Sequence, residues 1–357
     1  MSDCTPSLRQ IAKKLGISHT TVSEALRDSP RVKPATRQRI LAEAEAIGYH
    51  RNPLAGAMMS EMRRARMSTF RGMLAIVDLD GPEGRPESSE RYHRELATGA
   101  RERAEELGFK ADLFDLRRGE ISLSRLDTIL RSRGIRGLLL LPVRELPDLK
   151  GIDLSHFAAV YTDYVMKEPA LHAVCADHYL AMMNLIPRLR SLGYRRLGLV
   201  MDGKHDERLL YRWEAAFRVC EEHHSGSVSV PPLISEGIDP TSFTRWFKEE
   251  KPDVVICHSA SVIPWMERCG ASVPETHGFC ALNLNVNLVP CAGLDFHPRL
   301  IGSRAIELLT AQLFHNEYGP PRIPSITMIP PEWVDGPTVR SVEPVKCARG
   351  RRTRKSG

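Results

Sequence analysis

Leu8, Ile11, Ala12 and Leu15 recur at spacings of three and four, which places them on one face of a helix. Gly16 ends that pattern. Ser18 is then well placed to cap a second helix, predicted through about Arg27. Pro34, in a first-turn position, opens a third helix through Ile47, ended by Gly48. A fourth short segment starts at Asn52-Pro53 and runs to about Ser60, followed by the polar stretch EMRRARMSTFR, which reads as a linker.

From Gly72 the rhythm changes. Short apolar runs at 72–79, 110–116, 137–142 and 158–164 read as buried strands, with amphipathic helices near 91–107 and 124–133. A second set of runs follows at 196–202, 253–259 and 277–284, with helices near 178–192, 207–223, 241–250 and 262–269. A helix near 298–315 and the stretch 326–336 complete this second set. Alternation of strand and helix predicts parallel sheets with right-handed crossovers, and two such sets predict two lobes with a cleft between them.

The second helix of the head is built from residues that favour helix poorly. On a helical projection His19, Thr20, Ser23, Glu24 and Arg27 form one polar face, while Val22, Ala25 and Leu26 face the other way. Small hydroxyl side chains permit close approach to a phosphate backbone or a base edge, where bulkier ones would hold the helix off. Two helices joined by a tight turn, the second entering the major groove, form a helix-turn-helix. The alternative is a small capping bundle with a polar surface.

Charge sharpens the division. The 357 residues carry a formal +6, and residues 1–66 hold 12 Lys and Arg against 6 Asp and Glu. The last dozen residues hold six basic side chains and no acid, which leaves about −6 on residues 67–345. A basic head and tail around an acidic body fit a polyanionic partner for the head. The eight Cys form no C-x-x-C pair and have no His at metal-ligand spacing, so no disulfide framework, metal or cofactor is expected. No apolar run approaches the ~18 residues of a membrane span, and the N-terminus has no signal-sequence pattern. A cytoplasmic protein is expected.

Residues Leu8 to Met58 resemble, without a gap, the DNA-binding head of the lactose-repressor (LacI/GalR) family of bacterial transcription regulators. The resemblance is carried by A-x-x-x-G-[IV]-S-x-x-T-V-S-x-x-L over Ala12 to Leu26, by Thr36-Arg37, and by G-Y-x-x-N-P-x-A over Gly48 to Ala55. More loosely, 72–340 resembles that family's periplasmic-binding-protein-like regulatory domain. The fold this implies is an N-terminal all-α helix-turn-helix head plus an α/β two-lobe periplasmic-binding-protein-like body with parallel sheets. The divisions are a head at 1–51, a hinge helix and linker at 52–71, an effector-binding and dimerisation body at 72–340, and a disordered basic tail at 341–357.

The implied function is a DNA-binding transcription regulator, a repressor, controlled by a small-molecule effector such as a sugar. It would act as a homodimer on a near-palindromic operator, nucleoid-associated when bound. The resemblance makes His19 and Thr20 the base readers and puts Ser18, Thr21, Ser23, Arg27, Arg31, Lys33 and Thr36 on phosphates. Asn52 caps the hinge helix, and Ala55 and Met58 enter the minor groove. Met58 stands where a Leu is usual and wedges between base pairs in its place. Glu24 departs from the basic or neutral residue common there. A carboxylate accepts from a cytosine amine but is repelled by phosphate, so Glu24 either reads cytosine or turns away.

The hinge segment, barely two turns long and containing Gly56, is too short to be stable alone. Gly costs ~1 kcal/mol against Ala in a helix, and isolated helices below ~12 residues are marginal in water. Folding on docking to DNA is therefore expected.

If the body binds an effector at the carboxyl ends of its strands, the candidates are Asp78, Asp80, Asp177, Asp202, Arg208, His258 with Ser259, and Phe296, with Trp213 and Trp265 as stacking faces. Each has a second reading as a helix-capping carboxylate or a core aromatic. His258-Ser259 stands where the family has an Asn-Asp pair, and Phe296 where a Gln is common. Two other classes share the body's pattern. A solute-binding or sensor protein would carry a signal sequence and lack residues 1–66. An α/β enzyme would carry a G-x-S-x-G, G-x-G-x-x-G or Walker loop, and none is present.

Overall fold

The computed structural model describes residues 8–25, 32–46, 70–80, 85, 87–117, 119, 121–144, 148–164, 166, 168–223 and 228–340. The chain divides into two compact units, 1–69 and 70–357.

In the first unit α1 (Leu8–Leu15), α2 (His19–Ala25) and α3 (Pro34–Ala46) follow the predicted positions. Gly16 turns the chain at φ +62°, a left-handed conformation that glycine adopts without a steric penalty. The predicted apolar faces meet in a core of Ile11, Ala12, Val22, Ala25, Val32, Ile40 and Ala44, against which Leu15 and Ile17 pack. Val22, fully buried, contributes roughly 2 kcal/mol by that burial. The Lys14–Glu43 ion pair (2.6 Å) joins α1 to α3 at the surface and adds little.

The second unit holds two six-stranded sheets. The first contains β1 (Gly72–Asp78), β2 (Phe109–Asp115), β3 (Gly137–Leu140), β4 (Ala158–Tyr161), β5 (His172–Ala176) and β11 (Ile326–Ile329), in the order β11-β5-β4-β3-β1-β2. The second contains β6 (Leu197–Asp202), β7 (Leu233–Ser235), β8 (Val254–Cys257), β9 (Gly278–Ala281), β10 (Ala292–Asp295) and β12 (Glu332–Val334), in the order β12-β10-β9-β8-β6-β7. Among the described residues, all paired strands run parallel except β10 with β12. Central strands such as GLLL, AAVY and VVIC are buried at every position, as expected of parallel strands covered on both faces.

The helices are α4 (Glu87–Glu106), α5 (Leu123–Ser132), α6 (His178–Ser191), α7 (Gly203–Arg208), α8 (Arg212–His223), α9 (Pro240–Glu250), α10 (Ile263–Arg268) and α11 (Pro298–His315). The chain passes between the sheets after β5, after β10 and between β11 and β12, so both lobes are built from non-contiguous segments. Where α4 and α11 cross, glycines allow backbone-to-backbone approach. A Cβ on Gly99 would lie 2.1 Å from the Arg299 carbonyl oxygen, and one on Gly302 would lie 2.1 Å from that of Leu96. Ion pairs Arg299–Glu102 (2.7 Å) and Arg103–Glu307 (2.8 Å) flank the crossing.

Three strands lie outside the predicted runs: β5, β7 and β10. The helix expected near 207–223 is two helices, broken at Leu209–Tyr211. The break has a local cause. Asp206, fully buried, turns its carboxylate onto the Trp213 and Glu214 amides (3.1 and 3.0 Å) and so starts a new helix at Arg212. Its own carbonyl takes the Leu209 and Tyr211 amides. Leu210 and Tyr211 consequently lie in the left-handed region (φ +55° and +59°), at about 1–2 kcal/mol each.

Candidate DNA-reading helix and inter-lobe cleft

In the head, Ser18 Oγ accepts from the Thr21 amide (3.0 Å), the predicted N-cap of α2. The same hydroxyl lies 2.8 Å from Thr21 Oγ1. With Val22 and Ala25 packed inward, the opposite face of α2 carries Glu24, which is half-buried. Lys33 is exposed just before α3, and Thr36 is half-buried in its first turn. The side chains of His19, Thr20 and Ser23, all on α2, lie outside the described part, as do residues Arg27, Arg31, Asn52, Ala55 and Met58 and the tail after 340.

In the body, the carboxyl ends of the two sheets bring the candidate residues to facing walls. On the first lobe Asp78 and Asp80 are buried but already engaged. Arg85, its side chain 1 % exposed, holds Asp78 and lies 3.1 Å from Asp80. Asp80 also accepts from the Arg144 amide (2.9 Å). Arg117 adds Asp115 (2.7 Å) and Glu90 to the same network. Asp177 and Asp202 realise the capping alternative. Asp177 accepts from the Leu180 amide at the start of α6, and Asp202 from Lys204 and His205 at the start of α7. Asp177 also takes Arg212 Nη2 (3.1 Å).

Arg208, at the end of α7, reaches from the second lobe to Asp163, which follows β4 in the first lobe. Arg212 crosses the same way. Its Nη1 donates to Tyr164 Oη (2.9 Å), its guanidinium lies 4.6 Å from the centre of the Tyr164 ring, and Nη2 meets Met328 Sδ of β11 at 3.7 Å. Burial raises the Tyr161 hydroxyl pKa, and the nearby Arg208 charge acts against that rise.

Beside these pairs sits an aromatic cluster. Trp213 stacks on Phe296 (6.1 Å, 22° between planes), and His178 meets both edge-on at 5.2 and 5.5 Å. His258 lies edge-on to Trp213 (5.7 Å) and to His205 (4.3 Å). Burial lowers the pKa of His178 to about 3 and of His205 to about 4, and it holds His258 well below the ordinary value. These imidazoles are therefore neutral near pH 7 and offer one donor and one acceptor each. Trp213 Nε1 and His178 Nδ1 make no hydrogen bond within the described residues. Asn287 fixes the loop that carries His258, donating to the His258 carbonyl (2.8 Å) and accepting from Ala260 N (2.7 Å).

Of the candidate residues, the structure groups Arg208, His258, Phe296 and Trp213. It separates Trp265, which packs against Phe243 in the second lobe's core. Sequence reasoning did not single out Asp163, Arg212, His178, His205 or Arg85. A signal existed for one of them: Arg212 is four residues after Arg208, with a Trp following.

Residues 7–52 match the family described as bacterial regulatory proteins, lacI family, and residues 186–339 match the periplasmic binding protein-like domain. The chain is 24% identical over 328 residues to the HTH-type transcriptional repressor CytR of Escherichia coli (strain K12), covering 86% of this chain and 89% of that one. It is 30% identical over 109 residues to the maltose regulon regulatory protein MalI of Vibrio furnissii, covering 30% of this chain and 69% of that one. Among solved structures it is similar to a transcriptional regulator CelR–cellobiose complex (18% identity, TM-score 0.55, 93% of this chain and 99% of that one). It is also similar to the lac repressor dimer bound to operator and the anti-inducer ONPF (15% identity, TM-score 0.52, 93% and 98%). The chain belongs to the lacI family of bacterial regulatory proteins, whose members bind DNA and small-molecule effectors, and is a DNA-binding transcription regulator, not an enzyme.

Proposed function

We propose that the chain is a repressor that binds a near-palindromic operator as a homodimer, with α2 of each head in the major groove. His19 and Thr20 read base edges there, and Ser18, Thr21, Ser23, Arg27, Arg31, Lys33 and Thr36 hold phosphates. Asn52 starts the hinge helix, which places Ala55 and Met58 in the minor groove. The effector is an uncharged, sugar-like molecule held between the lobes by Arg208, His258, His178 and the Trp213–Phe296 stack.

The observation that carries the reading is the build of α2, capped at Ser18 and buried on one face by Val22 and Ala25, in a head with a basic excess. The relative named a repressor and the solved dimer bound to operator support repression and dimerisation. The described cleft supports an uncharged effector. Asp163 faces Arg208, Asp177 faces Arg212, and burial keeps the histidines neutral, so the charges beside the aromatic cluster are already balanced. The solved regulator complexed with cellobiose is consistent with that class.

Binding-site selection on random duplex DNA tests the reading. The unaltered chain selects an inverted repeat, and Thr20→Ala or His19→Ala changes the preferred bases, each removal of a base-edge hydrogen bond costing about 1–3 kcal/mol. An unchanged motif with uniformly weaker binding moves both residues to the phosphate class, and a single unrepeated half-site refutes the dimer.

A further inference from the structure

Arg208 and Arg212 flank a turn in which Leu209 is buried in the core but the two strained residues pack little. Leu210 and Tyr211 are both left-handed, and both are about half exposed, at 45 % and 52 %. What holds the turn is Asp206 beneath it, through the Trp213 and Glu214 amides and its own carbonyl. The effect of the turn is directional. It ends one helix and begins the next so that two arginines of the second lobe both point at the first. There Asp163, 10 % exposed at its side chain, meets Arg208, and Tyr164 meets Arg212.

We propose that Asp163 is an internal ligand of Arg208. The chain latches its own lobes shut through Arg208–Asp163 and Arg212–Tyr164 before any effector is present, with Asp206 as the residue that positions both arginines. Each element of the latch is needed for a different reason. Asp163 supplies the counter-charge for an Arg208 whose neutral polar neighbours include His205 Nδ1, at 3.5 Å, and the Tyr161 hydroxyl. Tyr164 gives Arg212 both a hydroxyl and a ring face. The Asp206 clamp holds the backbone arrangement that aims them. An effector that uses Arg208 then competes with Asp163. That consequence rests on the reading of the cleft as the effector site, whereas the latch itself does not.

Hydrogen exchange followed by mass spectrometry on the full chain, with neither DNA nor small molecule added, tests the latch alone. The segments to follow are 158–164 on the first lobe and 205–214 on the second. Asp163→Arg places like charges across the cleft and is expected to speed exchange in both segments together, on the order of tenfold. Asp163→Arg combined with Arg208→Asp is expected to restore protection in both. Acceleration confined to 158–164, or no recovery in the double variant, overturns the proposal. Should Asp163→Arg fail to fold, as judged by loss of near-ultraviolet circular dichroism, Asp163→Asn keeps the shape and removes the charge. Faster exchange of both segments in Asp163→Asn supports the latch, and exchange equal to that of the unaltered chain overturns it. None of these outcomes bears on operator recognition, so failure of the latch and failure of the repressor reading are told apart.

Discussion

Acid should destabilise the body well before its carboxylates are protonated, and the histidine cluster sets the size of the effect. His178 and His205 are lowered by burial to about 3 and about 4, from an ordinary 6.5. Below pH 6.5 the unfolded chain takes up protons at these sites and the folded chain does not, so stability falls as pH falls. The contribution is complete above about pH 6.5 and is lost progressively towards the folded-state values. At pH 5.0 each histidine costs about 2 kcal/mol relative to pH 7.5, because 1.5 pH units below the unfolded value correspond to about 1.4 kcal/mol per unit. The two together cost about 4 kcal/mol, which corresponds to a fall in melting temperature of roughly 10 °C for a unit of this size. His258 acts in the same direction. Asp206, its carboxyl pKa raised by burial, acts in the opposite direction, gaining stability as pH falls, but it is one group against five, since burial also lowers His93 and His277.

The measurement is urea unfolding at pH steps from 7.5 to 5.0, followed by tryptophan fluorescence. All four tryptophans (213, 246, 265 and 333) lie in the body, so the signal reports this unit. His178→Gln separates proton linkage from packing damage. Weakened packing shifts the whole curve, whereas the missing titration flattens the slope between pH 5 and 6 by about 1.4 kcal/mol per pH unit. An unaltered slope in His178→Gln, or a body equally stable at pH 5.0 and 7.5, would falsify the assignment of these imidazoles as neutral at pH 7.

Gly99→Ala puts a methyl group against the Arg299 backbone at the α4–α11 crossing, where no flexible side chain can yield. It should destabilise the body by about 3 kcal/mol in the same urea assay, and a change under about 0.5 kcal/mol would mean the helices are not in backbone contact. Lys33→Ala should weaken binding to all duplex sequences alike and lower the slope of log affinity against log salt by about 1, the share of the one phosphate it neutralises. A changed base preference would count against a phosphate role. Met58→Ala should reduce both operator bending and specific affinity while Met58→Leu keeps both, measured by circular-permutation gel shift; a bend indifferent to Met58→Ala removes the wedge.

The head was legible because its signals are local. Ser18 caps an amide three residues on, Gly16 turns the chain where the first apolar face stops, and Pro34 opens α3. None of these depends on a residue far away in sequence. The central parallel strands were legible for a related reason: burial on both faces leaves an unbroken apolar run such as LGLVM or VVIC. The strands outside the predicted runs lack that pattern. β5 reads HAVCA and β10 AGLD, rich in alanine or glycine and poor in large apolar side chains, and their strand character comes from neighbours already in the sheet. β7, three residues long and only half-buried at each, has even less to show.

The cleft was half legible, and the fault line runs through the aspartates. In a parallel α/β sheet the carboxyl end of a strand is both the wall of the cleft and the place where the next helix begins. An Asp there serves either a ligand or a helix N-terminus, and the spacing is the same for both. Asp177 and Asp202 prove to be caps, while Asp78 and Asp80 neutralise Arg85. Asp163 accepts the neighbouring Tyr164 amide (2.8 Å) and caps none of the described helices, and its second carboxylate oxygen meets a charge on the other lobe. What sets Asp163 apart from the capping aspartates is thus the charge that reaches it from the other lobe, and this becomes visible only once the helix starts are known. By the same logic Arg208 and Arg212 stand out only after the helix expected near 207–223 is seen to break between them. A continuous helix would put the two side chains one turn apart on a single face. The Asp206 clamp gives them separate helices and a common target.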